Sequence, residues 1–123
     1  MQIVRAGERR TTTTPNGAMT TLASPTLGGS GASLWSVEMF PGVAGPVHAF
    51  EGEVLWTITG GSGTVIVDGV EQQFEVGDTM VLPGGMLRQF IAGTTGFTAV
   101  ATTTEGAVHL ADGSLVGVPA WVA

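Results

Sequence analysis

The stretch from Gly77 to Arg88, GDTMVLPGGMLR, contains the turn chemistry that decides how this chain folds. Proline fixes φ and glycine adopts positive φ, so Pro83-Gly84-Gly85 predicts a tight reversal between two short strands. An earlier stretch from Gly42 to Gly60, GVAGPVHAFEGEVLWTITG, has the same glycine-bounded form and carries His48 and Glu53. Each stretch could occur alone in any glycine-rich β protein. Both together, in this order and at this spacing, form a specific signal.

The remainder of the chain has the pattern of short β-strands. Val, Ile, Thr, Phe and Trp recur between breaks rich in Gly and Pro, and Asp68-Gly69 is a strong two-residue hairpin signal. Strands are predicted near 8–14, 18–24, 33–40, 53–59, 63–68, 70–75, 78–82, 86–92, 96–104 and 107–110. No window of about 11 residues or more has a 3.6-residue period, so we expect almost no helix. The pattern predicts one all-β domain, an antiparallel sandwich or barrel.

Composition and charge exclude several functional classes. The chain has 123 residues, with ten acidic and four basic side chains and a formal net charge of -6. An acidic surface repels phosphate backbones and anionic lipids, so we expect no nucleic acid and no membrane as partners. The absence of Cys and Lys excludes thiolate and lysine Schiff-base chemistry. Without a long apolar run or a secretory signal at residues 1–10, a cytoplasmic protein is expected.

Taken together, the two stretches resemble the two signature motifs of the cupin superfamily, as found in small single-domain bacterial cupins. The family patterns are Gly-x5-His-x-His-x3,4-Glu-x6-Gly and Gly-x5-Pro-x-Gly-x2-His-x3-Asn. The matching positions in this chain are Gly42, His48, Glu53, Gly60, Gly77, Pro83 and Gly85. The resemblance implies a double-stranded β-helix, a jelly-roll-like antiparallel barrel, over residues 1–123. Within it, residues 1–32 form N-terminal strands or an arm, and 33–104 carry both motifs.

The departures from the family patterns concern the metal ligands. In the family, two His and one Glu of the first motif and one His of the second bind a divalent metal. Here Phe50 occupies the second His position and Arg88 the His position of the second motif. Glu53 follows Phe50 after two residues instead of three or four. A guanidinium is a cation without a lone pair, so Arg88 disfavours a metal beside it.

A second register of the first motif stays open. In it His48 is the second His and Pro46 replaces the first. Either register keeps at most two of the four ligands, whereas catalytic zinc usually needs three. We therefore expect no metal cofactor, and His48 with Glu53 or Glu51 is the remaining route to a divalent cation.

The same residues predict a pocket. The catalytic candidates are His48, Glu53 and Arg88, with Arg88 replacing the charge of the metal and pairing with Glu53. The residues predicted to bind a ligand are Phe50, Leu55, Met86 and Phe90. Glu53 and Leu55 share one face of the strand near 53–59, which is predicted to form the pocket wall. The opposite, apolar face of that strand must be covered by another sheet or another subunit.

These residues favour a small-molecule-binding barrel with a metal-free pocket. The alternative is a metal-independent acid–base enzyme, an isomerase, lyase or cyclase, that acts on a small organic substrate. A metal-dependent oxygenase would require the missing ligands to be replaced. A homodimer is expected, because small cupins usually pair. Trp121 is predicted to anchor the C-terminal segment, and His109 to lie at the surface or in an interface.

Overall fold

The computed structural model describes all 123 residues and is built from antiparallel strands. One short 3-10 turn, Ala6–Glu8, precedes the first strand. The strands are β1 (Arg10–Thr13), β2 (Gly17–Ala23), β3 (Ser33–Met39), β4 (His48–Phe50), β5 (Val54–Val67), β6 (Val70–Glu75), β7 (Thr79–Leu82), β8 (Gln89–Thr103), β9 (Val108–Leu110) and β10 (Leu115–Gly117). The structure contains no helix of the length and hydropathy that crossing a membrane requires.

The strands form two sheets. The larger sheet has the order β1-β2-β3-β8-β5-β6, with β7 also paired to β5, and the smaller one has the order β10-β9-β4. Two long strands, β5 and β8, pair with each other over most of their length. An isolated bridge between His48 and Arg88 joins β4 to the segment that leads into β8. The result is the all-β, jelly-roll-like barrel that the sequence predicts.

β5 and β8 are each longer than predicted, because glycine-rich segments that were expected to be turns continue the strands. The segments predicted at 53–59 and 63–68 form the single strand β5, and the register with β8 shifts between Ile58 and Gly60 and between Gly61 and Gly63. Gly61 has a φ of +70°, and a Cβ there would collide with the carbonyl oxygen of Gly96 on β8. Gly61 therefore permits the two paired strands to approach closely, and it does not mark the end of either strand.

The apolar face of the first half of β5 lies inside the barrel. Val54 is 0% exposed, Trp56 7% and Ile58 1%, whereas Leu55 between them is 37% exposed. The face that carries Leu55 was predicted to be the pocket wall, and this prediction is wrong. The chain's own core covers the apolar face, so the face gives no support to a second subunit.

Candidate functional site

The interior of the barrel contains a cavity of about 440 Å³ with a mainly apolar lining. Its aromatic lining residues are Trp35, Phe50, Trp56, Phe90 and Trp121. Polar side chains contribute little, and the titratable one among them is the imidazole of His48. Alternation along β3, β4 and β8 turns every second side chain inward, which explains how separate strands supply one lining. Such a lining suits a small apolar compound with a few oriented polar groups.

The aromatic side chains of the lining contact one another. Trp35 stacks on Phe50 with ring centroids 6.1 Å apart, and Trp56 stacks on Phe90 at 4.6 Å. Phe74 and Phe97 extend this cluster away from the cavity, edge to face at 5.0 Å. Offset and edge-on arrangements are the favourable ones for aromatic pairs, so these contacts stabilise the cavity wall.

His48 begins β4 and is half-buried. Its Nδ1 lies 2.9 Å from the carbonyl oxygen of Pro46, which can only accept a hydrogen bond. Nδ1 therefore carries the proton, and Nε2 keeps the lone pair of the neutral ring. Burial lowers the pKa of His48 below its ordinary value, the bond to Pro46 opposes this shift, and the charge of Arg88 lowers the pKa further. At neutral pH the cavity wall thus carries a neutral imidazole.

Arg88 lies directly across the antiparallel bridge from His48. The two residues exchange both backbone hydrogen bonds, at 3.0 and 2.9 Å, so their side chains project from the same face. Arg88 is 1% exposed, and its Cζ lies 5.0 Å from the centroid of the Phe50 ring. Burial lowers the pKa of Arg88 to about 10, so the guanidinium stays charged at neutral pH. The cavity wall therefore has a cation adjacent to it.

Glu53 does not join this group, and the predicted pairing of Glu53 with Arg88 is wrong. The Glu53 side chain is exposed just before β5 begins, and the one hydrogen bond that the Arg88 guanidinium donates, at 3.4 Å, goes to the carbonyl oxygen of Met86. Two residues separate Glu53 from Phe50, one fewer than the motif requires. The segment between Phe50 and Val54 is a bend outside any strand, so strand alternation does not determine where the carboxylate of Glu53 emerges.

The other predicted ligand-binding residues are divided between the inside and outside of the barrel. Phe50 and Phe90 line the cavity, whereas Leu55 is on the exposed face of β5. Met86 is half-buried and packs against the core without reaching the cavity. The lining residues that the sequence argument missed include Trp35 and Trp121. A signal was available, since all three Trp of the chain line this cavity.

Trp121 belongs to a C-terminal segment that is held on the barrel. The Thr21 hydroxyl on β2 donates a hydrogen bond of 2.8 Å to the carbonyl oxygen of Trp121. The Ser33 hydroxyl on β3 donates to the carbonyl oxygen of Val122, which is 1% exposed. The segment thus closes one side of the cavity. His109 lies on β9, half-buried and outside the cavity lining.

The positions that hold the metal in the cupin motifs do not supply a set of metal donors in this chain. Phe50 has no donor atom, Arg88 is a cation, and the side chain of Glu53 is exposed outside the cavity lining. The structure contains no group of three or more His, Asp or Glu side chains that could hold a metal ion. His48 and the exposed Glu53 are the only two of these four positions with donor atoms, and catalytic metal sites usually need three protein ligands, so the residues present do not fit the divalent metal of the motif.

Comparison with solved structures finds the same architecture in several proteins of low sequence identity. The chain superposes on KdgF from Halomonas sp. with a TM-score of 0.70, 15% identity, and coverage of 85% of this chain and 94% of that one. For the polyketide cyclase RemF from Streptomyces resistomycificus the TM-score is 0.71, with 17% identity and coverage of 84% and 78%. For the DMSP lyase DddQ from Ruegeria pomeroyi DSS-3 it is 0.73, with 19% identity and coverage of 88% and 64%, slightly less than two thirds of DddQ.

No protein-family model and no curated protein matches the sequence. At these identities the likeness concerns the fold. The antiparallel barrel, the two motif turns and the structural neighbours agree with one another, and the chain therefore has the cupin fold.

Proposed function

We propose that this protein binds a small, mainly apolar, ring-bearing compound inside its barrel, without a metal ion. The observation that carries the proposal is the cavity of about 440 Å³, whose wall is built from Trp, Phe and Met side chains with a single imidazole. Sites for small organic ligands typically span roughly 300–1,000 Å³ and combine apolar walls with a few polar groups. Flat aromatic walls favour a ligand with a ring that can stack on them.

Blocking the mouth of the cavity tests this proposal. Val116 lines the cavity and is 58% exposed, so a tryptophan at this position can be accommodated at the surface while it obstructs entry. Val118 is 52% exposed but lies outside the lining, which makes Val118→Trp a matched control. We expect a panel of bicyclic aromatic compounds to raise the Tm of the wild type and of Val118→Trp, but not of Val116→Trp. Equal shifts in both variants would contradict binding in this cavity.

The metal-free character of the site is part of the proposal and has its own test. It is supported by the donor chemistry of the four motif positions, of which two carry Phe50 and Arg88. Elemental analysis of the protein purified without chelator should find Fe, Mn, Ni and Zn well below one equivalent. A stoichiometric metal that is lost in His48→Ala would overturn this part and would favour the metal-dependent oxygenase.

A metal-independent acid–base enzyme is the second candidate, and His48 favours it. A neutral imidazole whose Nδ1 is held by a carbonyl presents Nε2 as a proton acceptor, which suits a general base. RemF is a polyketide cyclase and DddQ a DMSP lyase, so the fold accommodates both a cyclase and a lyase. In an isomerase reaction His48 would remove a proton from a carbon acid and return it to another carbon of the same molecule. In a lyase reaction His48 would remove the proton, the electron pair of the C–H bond would form the new double bond as the bond to the leaving group breaks, and the proton would pass to solvent. Glu53 takes no part, because its side chain is exposed outside the cavity.

Turnover assays on the compounds that bind separate the two candidates. The enzyme requires product to form in the wild type and to disappear in His48→Asn, while His48→Asn still binds the compound. Binding without any product in the wild type supports the binding protein.

The homodimer expected from the resemblance is a separate proposal. We expect sedimentation velocity at micromolar concentration to give one species of about twice the 12.5 kDa chain mass. A single species of the chain mass would contradict it and would leave the cavity proposal unchanged.

A further inference from the structure

The guanidinium of Arg88 is a buried cation that the protein leaves without a counter-ion. Arg88 is 1% exposed, and its Nε and Nη2 atoms have no hydrogen-bond partner. Nη1 donates only a long bond of 3.4 Å to the carbonyl oxygen of Met86. Buried charges are normally paired, because an unpaired one loses its hydration without compensation.

The chain places no carboxylate in the interior that could serve as a counter-ion to Arg88. All ten acidic side chains are exposed, including Glu51 and Glu53, which are the closest to Arg88's bridge partner in sequence. The surface and the interior of the protein therefore carry charge of opposite sign. The surface is acidic, with a net charge of -6 for the chain, while the one buried ionised group is a cation.

Arg88 lies beside the cavity. His48, its bridge partner, and Phe90, two residues further along, both line the cavity and project from the same face as Arg88. Phe50, whose ring the guanidinium contacts at 5.0 Å, lines the cavity as well. The guanidinium therefore packs against a residue of the cavity wall.

The two unpartnered donors are those that recognise a carboxylate. Nε–H and Nη2–H point in parallel from one edge of the guanidinium, and this edge accepts both oxygens of a carboxylate at once. Single-atom acceptors such as an alcohol would satisfy one donor and leave the other buried and unpaired.

We propose that the ligand of the cavity is an aromatic carboxylate, and that Arg88 receives its carboxylate group once the Phe50 ring turns aside. This inference rests on the proposed binding function and specifies the ligand class. The ring system of the ligand stacks between the Trp and Phe walls, and its charged end enters the place that the motif normally gives to a metal. His48 is neutral at neutral pH and does not compete with Arg88 for the anion.

The test compares two probes that share a ring system and differ in charge. 2-Naphthoate and 2-naphthalenemethanol are titrated into the wild type at pH 7 by isothermal calorimetry in a low-chloride buffer. We expect the carboxylate to bind at least tenfold more tightly than the alcohol. In Arg88→Met this preference should be lost while the affinity for the alcohol stays within twofold. Arg9→Met, which removes an exposed arginine, is the matched control for net charge and should behave as the wild type does.

A second measurement avoids any dependence on the folding of the variant. The chain has four arginines, so the ¹⁵N spectrum of the arginine side chains contains four Nε signals at most. We expect 2-naphthoate to shift the Nε signal of Arg88 in the wild type, and 2-naphthalenemethanol to leave it in place.

The outcomes distinguish the two proposals. Equal binding of both probes would overturn the carboxylate inference and leave the apolar binding function standing. A carboxylate preference that survives in Arg88→Met, or an unshifted Arg88 signal, would overturn the assignment to Arg88. Binding of neither probe, and of no other aromatic compound, would overturn both proposals.

Discussion

Arg88 combines a buried charge with two unpartnered donors, and each of these features weakens the folded state. An unsatisfied buried donor costs about 1–3 kcal/mol, so two cost roughly 2–6 kcal/mol together. The contact of the guanidinium with the Phe50 ring returns about 2 kcal/mol when desolvated. The balance lies between about zero and roughly 4 kcal/mol against the folded state, so the guanidinium does not stabilise the barrel.

Arg88→Met should therefore raise the free energy of unfolding by about 1–3 kcal/mol, since methionine keeps the apolar stem and adds a sulfur–aromatic contact to Phe50. Urea unfolding at pH 7 measures this change in the free energy of unfolding. The control Arg9→Met should stay within about 0.5 kcal/mol of the wild type. A loss of stability in Arg88→Met beyond that of the control would mean that the guanidinium has a structural partner.

His48 gives the protein a pH dependence whose sign follows from its lowered pKa. Arg88 faces it across the bridge, and β9 presents the uncharged Leu110 opposite it. Between the ordinary pKa of 6.5 and the lower folded-state pKa, the unfolded chain binds a proton that the folded chain does not. The contribution of His48 to the free energy of unfolding is fully present above pH 6.5 and is lost as the pH falls to the folded-state pKa.

The expected result is a decrease in unfolding free energy below pH 6.5 that is smaller in His48→Gln than in the wild type. NMR titration of the imidazole in a His109→Gln background, where His48 is the only histidine, gives the folded-state pKa directly. A midpoint above the ordinary value would reverse the sign and contradict the prediction.

At the scale of elements, the barrel depends on the close approach of β5 and β8. A Cβ at Gly61 would collide with the carbonyl oxygen of Gly96 and lie 2.8 Å from the Cα of Phe97, and the φ of Gly61 is +70°. Gly61→Ala combines left-handed strain of about 1–2 kcal/mol with a backbone clash, so we expect a loss of more than about 3 kcal/mol. Gly69 has a φ of +74° and open space around it, so Gly69→Ala isolates the strain.

The difference between these two variants in urea unfolding measures the clash alone. Equal losses would show that β5 and β8 can separate locally without cost, and would remove the reason for glycine at position 61.

The elements also show how far sequence reasoning reaches. Strict alternation placed β2, β3 and β6 within a few residues, and the paired glycine motifs led to the correct fold. A bulge inside a strand and a turn between strands require the same residue type, so the glycines from Gly60 to Gly63 do not reveal that 53–59 and 63–68 form one strand. The missed strands β4 and β10 have three residues each, which gives little periodic signal; β9 has the same length and was predicted within one residue.

The candidate site was predicted less completely than the fold. Motif spacing identified His48, Phe50 and Arg88, and alternation along the strand that carries Arg88 identified Phe90. The face of Glu53 could not be inferred, because it depends on a shortened bend whose geometry only the folded chain reveals. Trp35 and Trp121 lie outside both motifs and join the cavity through contacts distant in sequence.

At the scale of the whole molecule, the C-terminal segment joins the cavity wall to the first third of the chain. Thr21, Ser33 and Thr26 donate side-chain hydrogen bonds to Trp121, Val122 and Ala123, across 100, 89 and 97 residues. A ligand site closed by contacts of this range forms only when most of the chain has folded. The cavity and the barrel should therefore unfold as one cooperative unit.

Val122→Ala tests whether the cavity and the barrel unfold cooperatively. Val122 is 1% exposed and packs in the core cluster, and the adjacent Trp121 lines the cavity. Removal of its two methyl groups should lower the free energy of unfolding by about 1–3 kcal/mol, whereas Val118→Ala, at an exposed position, should stay within about 0.5 kcal/mol. Tryptophan fluorescence reports on the cavity and far-UV circular dichroism on the strands, and their urea transitions should coincide in both variants. A fluorescence transition at lower urea would mean that the C-terminal segment opens by itself, and ligand could then enter the cavity without unfolding of the barrel.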